Sequence, residues 1–125
     1  MQNTKFRAGP LAMVNTATNI LNPGTTTGGV NCTASPWNNL YVLINQIEIC
    51  DKSGGGGTFQ LFIGATGGSA AGTEIAKNVS VAANGVYTLN YPGGLRLSTA
   101  DFLTGLANAN TTLTIVINGE IGVGT

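Results

Sequence analysis

The sequence predicts an all-β protein: an antiparallel β-sandwich with one short helix and an extended N-terminal arm. Three observations predict it. Apolar side chains recur at every second position in short segments. The segments are rich in Val, Ile, Thr, Tyr and Phe, residues that suit a pleated, half-buried surface. Gly, Pro and Asn clusters separate them every 8–15 residues or so, which gives about seven or eight strands.

Taken in order, residues 11–15 and 18–21 read as short strands, Asn22-Pro23-Gly24 as a turn and residues 25–29 as a loop. Pro10, Pro23 and Pro36 exclude long central strands from this part, so edge strands or an extended arm over residues 1–24 are expected, ahead of a sandwich domain over 25–125. Residues 40–50 make the strongest segment. Tyr41, Leu43, Ile47 and Ile49 fall on one face at period two, with Val42, Ile44, Gln46 and Glu48 opposite. Asp51-Lys52-Ser53 and the run Gly54 to Gly57 end it as a flexible connection, after which Phe59, Leu61 and Ile63 share a face of the next strand. The two read together as a hairpin with a long loop.

Residues 67–72 form a second loose loop. Residues 74–82 alternate again, with Ile75, Val79 and Val81 inward and Lys77 breaking the row. Asn84-Gly85 signals a turn into a partner strand over 86–91, which Pro92-Gly93-Gly94 stops. Leu95-Arg96-Leu97 is a short extended piece. Ser98 as N-cap, with Asp101 three residues on, predicts a helix start that Gly105 limits to a turn or two. The last strand covers 111–119 and extends toward Val123, with Leu113, Ile115 and Ile117 on one face. Many short strands with one short helix make a jelly roll the expected topology.

Charge is the second theme. Residues 8–47 carry no charged side chain, forty in a row, and charged residues make up 8% of the chain against about 25% in ordinary domains. So bare a surface invites association. Net charge is zero, and Lys5, Arg7, Lys52, Lys77 and Arg96 are scattered, so neither nucleic acid nor an anionic membrane is an expected partner. Met1-Gln2-Asn3-Thr4-Lys5 lacks the apolar core of a signal peptide. No apolar run approaches the roughly 18 residues of a spanning helix. A soluble product made in the cytoplasm is therefore expected.

Catalytic chemistry has little to work with. The chain has no histidine, which excludes Ser-His-Asp and Cys-His arrangements. Among Glu48, Asp51, Glu74, Asp101 and Glu120 no spacing suggests an acid/base pair, and Asp51 beside the glycine run is a weak calcium candidate. The glycine run lacks the Gly-Lys-Ser/Thr ending of a phosphate cradle. Cys32 and Cys50 read as small buried hydrophobes, with a disulfide between them the alternative. No catalytic, cofactor-binding or metal-binding residue is assigned. Trp37, just before the strongest strand, reads as core, interface anchor or sugar-stacking platform.

The C-terminal half carries a resemblance. Its residues are Lys77-Asn78-Val79-Ser80-Val81, Asn84-Gly85-Val86-Tyr87-Thr88-Leu89, Pro92-Gly93-Gly94-Leu95-Arg96-Leu97, Ala100-Asp101-Phe102-Leu103 and Leu113-Thr114-Ile115-Val116-Ile117-Asn118-Gly119-Glu120. This pattern, over about half the chain, resembles the small jelly-roll head-decoration, or cement, proteins of tailed bacteriophages. The resemblance implies a non-enzymatic virion protein on the outer capsid surface. It would bind the major capsid protein as a dimer or trimer that bridges neighbouring shell subunits. The expected contact residues are Leu11, Met13, Val14, Ile20, Leu21 and Trp37, apolar side chains within the uncharged third. The rival readings are a carbohydrate- or receptor-binding β-sandwich module of a virion fibre or tail, with exposed Trp37, Tyr41, Tyr87 or Tyr91, and an enzyme built on the same scaffold.

Overall fold

The computed structural model describes residues 4–22, 26–27, 30–31, 40–64, 73–98 and 101–123. They form β1 (Thr4–Ala12), β2 (Thr18–Leu21), β3 (Thr26–Thr27), β4 (Val30–Asn31), β5 (Leu40–Asp51), β6 (Gly57–Gly64), β7 (Glu74–Val81), β8 (Val86–Leu97), β9 (Phe102–Ala107) and β10 (Leu113–Val123). One four-stranded antiparallel sheet has the order β1-β10-β5-β8, a second has β2-β9-β6-β7, and β3 and β4 pair as a small ribbon. Leaving the ribbon aside, the pairing is nested. The first long strand bonds to the last, the second to the second-last, β5 to β8, and β6 to β7.

The inward faces of the two sheets share one apolar core, a β-sandwich-like arrangement. Val42, Ile44, Ile47 and Ile49 of β5 and Leu113, Ile115 and Ile117 of β10 meet Phe59 and Leu61 of β6 and Leu103 and Ala107 of β9. β5 and β10 are central because both are long, β-branched and apolar on the buried side.

Several expectations are corrected. The strict period-two face of β5 breaks at Asn45, an exposed bulge that both neighbouring strands skip. Val42 and Ile44 are therefore buried on the same side as Ile47 and Ile49, while Tyr41 and Leu43 point outward. β5 and β6 are not a hairpin, and neither are β7 and β8, because each pair is split between the two sheets. Both connections instead turn a corner of the core. Pro92-Gly93-Gly94 does not stop β8. Gly93 and Gly94 take φ of 85° and 90°, and the strand continues to Leu97 past a register break.

Among the described residues there is no helix, and Phe102 and Leu103 lie in a strand. The cap signal has another cause. The Ser98 amide donates to Asp101 Oδ2 at 2.9 Å and the Asp101 amide to the Ser98 carbonyl at 2.9 Å, so the two residues satisfy each other ahead of β9. Cys50 is an exposed free thiol, since β5 turns Asp51 inward and Cys50 outward. Cys32 lies outside the described residues.

Candidate docking cleft between the first two strands

β1 and β2 are the edge strands of the two sheets, and residues 13–17 carry the chain from one sheet to the other. This crossing is pinned to the connection between β9 and β10. The Met13 amide donates to the Leu113 carbonyl at 2.9 Å, and the Thr111 amide to the Met13 carbonyl at 3.0 Å. The Ala107 amide donates to the Val14 carbonyl at 2.8 Å, and the Asn15 amide to Asn110 Oδ1 at 2.8 Å. Backbone bonds of this kind hold a segment without charged side chains, as its composition requires.

Between the strands lies an apolar cleft of about 110 Å³, lined by Leu11, Met13, Val14, Ile20, Gly105 and Ile115, with Ala12, Thr18 and Asn19 also bordering it. Of the six residues singled out from the sequence, four line this cleft. Met13 and Ile20 are nearly buried, at 4% and 5% exposure, whereas Leu11 and Val14 are half-buried. Leu21 is fully buried in the core beside Leu103, so it positions β2 and does not face the cleft. Trp37 lies outside the described residues.

Gly105 and Ile115 escaped the sequence reading. Gly105 was read as the limit of a short helix, but it lies inside β9, where a glycine marks a close approach. A Cβ there would stand 2.7 Å from Ile20 Cδ1 and 2.9 Å from Leu61 Cδ2. Gly105→Ala is therefore expected to lower the unfolding free energy by about 1–3 kcal/mol. A urea titration checks this, and an unchanged midpoint would refute the close packing.

A separate polar cluster centres on Asp51, which is buried. Oδ1 accepts from the Ser53 hydroxyl at 2.7 Å and the Ser53 amide at 3.0 Å. Oδ2 accepts from the Gly56 amide at 2.8 Å and the Asn84 amide at 2.9 Å. The Ser53 hydroxyl first, then the Asn84 amide, hold the Asp51 carboxyl well below the usual carboxylate range, against the opposing cost of burial. The glycine run is thus an ordered cradle and not a loose connection. Gly56 has φ of 76°, and a Cβ on it would stand 2.9 Å from the Val81 carbonyl oxygen. With both oxygens occupied by donors of the chain, Asp51 is a structural tie between the β5–β6 and β7–β8 connections.

Among the described residues no three His, Cys, Asp or Glu side chains stand close enough to share a metal ion. Two of the aromatic rings named for sugar stacking are engaged. The Arg96 guanidinium sits 4.2 Å from the Tyr41 ring centroid, and Tyr87 meets Phe59 edge-on at 5.8 Å. No protein-family model matches the chain, and no curated protein matches it.

Proposed function

We propose that this chain is a structural virion protein that decorates a tailed-phage capsid, binds the major capsid protein and bridges neighbouring shell subunits as a dimer or trimer. On this reading the fold is a jelly roll. The nested strand pairing supports that topology, as do eight strands divided equally between two sheets. The observation that carries the function is the apolar cleft at the β1–β2 edge, most of whose lining comes from the uncharged third of the chain. Such a cleft accepts one apolar side chain from a neighbour. The resemblance of the C-terminal half supplies the identity of the neighbour.

Deleting the first 22 residues would strip an edge strand from each sheet, so charges at the rim are the sharper test. Ala12 and Thr18 are exposed. Ala12→Lys and Thr18→Lys should leave the fold intact yet bury an unpaired charge on docking. Binding to capsid shells purified without the protein, followed by co-sedimentation, should weaken by about tenfold or more. Undiminished binding by both variants sinks the cleft as the contact, and absence of binding by the unaltered chain sinks the decoration reading. Specific capture on a glycan array without affinity for shells would favour the fibre-module reading.

A further inference from the structure

Among the described residues the two sheets have four outer edges, and three are guarded against pairing with another chain. β1 carries Lys5, Arg7 and Pro10 and breaks register between Ala8 and Leu11. β2 has four residues and a break between Asn19 and Leu21. β7 exposes Lys77, bends at Asn78 with φ of 50°, and has breaks in its pairing with β6. Charge, proline, shortness and bulges are the usual protections of a sheet edge.

The first half of β8 has none of them. From Val86 to Asn90 it runs in unbroken register along Cys50 to Gln46 of β5, with no charged residue and no proline. Val86 and Tyr87, 59% and 38% exposed, are the exposed large hydrophobics among the described residues.

The direction of the backbone groups follows from one bond. The Asp51 amide donates to the Gly85 carbonyl at 2.9 Å, which makes Gly85 a bonding position toward β5. Antiparallel alternation then turns Tyr87 and Leu89 toward β5, and turns the N–H and C=O of Val86, Thr88 and Asn90 toward the open side.

We propose that a second copy of this chain pairs here, antiparallel and two-fold about Thr88, joining two four-stranded sheets into one of eight strands. The two-fold places Thr88 against Thr88 and Val86 against Asn90, and forms about six backbone hydrogen bonds. A like-with-like contact repeats every charge against itself. A strand without charges escapes that repulsion, and its open donors and acceptors meet their own rotated copies in register. The proposal rests on the self-association included in the reading above. It leaves the β1–β2 cleft free on the far side of the sheets, so shell binding and pairing are separate measurements and can fail separately.

Sedimentation equilibrium of the full chain should give twice the 12.7 kDa chain mass. The Thr88 side chain is exposed on the outer face. T88K sets two lysines across the axis, about 5.5 Å apart at Cα, and should give the monomer mass with partial recovery in high salt. T88P removes an amide that only the second copy uses and should act likewise. In the unaltered protein, hydrogen exchange at Val86, Thr88 and Asn90 should accelerate on dilution while Tyr87 and Leu89 stay slow. A monomer up to about 1 mM, an assembly larger than a dimer, a folded T88K that remains dimeric, or exchange at the five amides that ignores dilution would each overturn the proposal.

Discussion

Phe59→Ala is expected to lower the free energy of unfolding by about 3–5 kcal/mol, read from a urea titration. Phe59 is among the largest fully buried side chains and belongs to β6, yet its ring meets Tyr87 of β8 at 66° between planes. It therefore fills the core and joins the two sheets at the edge where β7 and β8 end them. Truncation removes the aromatic pair and leaves a gap that rigid strands on both sides cannot fully close. A loss under about 1 kcal/mol would mean that this edge of the core collapses around the gap.

Acid should remove stability through Asp51. Its carboxyl sits below the unfolded value of about 3.8, so the unfolded chain binds the proton more readily. The contribution is complete above that value and shrinks as pH falls below it toward the folded value. Urea titrations from pH 6 to pH 2 should therefore show stability dropping below about pH 4, and Asp51→Asn should flatten that limb. The variant should also be less stable at pH 7. Both carboxylate oxygens now accept from donors, and an amide placed there sets its own NH2 against Ser53 or against Gly56 and Asn84. Amide exchange at Gly56 and Asn84 should quicken together, since one carboxylate orders both connections. An unchanged acid limb in the variant would show that other carboxylates govern it.

Several strands were legible in the sequence because alternation is local, whereas β1, read as an arm with a strand only from residue 11, and β9, read as a helix, were not. Residues 40–50 and 111–119 announce β5 and β10 by their apolar period and β-branching. Partners were not legible. A turn signal such as Asn84-Gly85 specifies a change of direction, and the same signal serves a hairpin or a step between sheets. Here the Gly85 amide does donate to the Ala82 carbonyl at 2.9 Å, but the strands on either side join different sheets. The face of β5 was misread in its first half because one bulged residue, Asn45, inverts the phase. Ser98 and Asp101 satisfy each other ahead of a strand as they would at a helix start, so the pattern alone did not distinguish the two. The cleft was half legible. Missing charge pointed to Leu11, Met13, Val14 and Ile20, but Ile115 reaches it from a strand a hundred residues away in sequence.

The place of β10 between β1 and β5 sets a timetable for synthesis. It follows the other described strands in sequence, and until it is made the sheet lacks its middle. β1 and β5 then have no neighbour between them, and the uncharged run from 8 to 47 waits in the open with the apolar side of β5 beside it. Before β10 is made, β6 can close on β7 and β5 on β8, but β1 cannot join its sheet. Removing β10 thus threatens far more than a frayed end, since it withholds the strand on which both β1 and β5 pair.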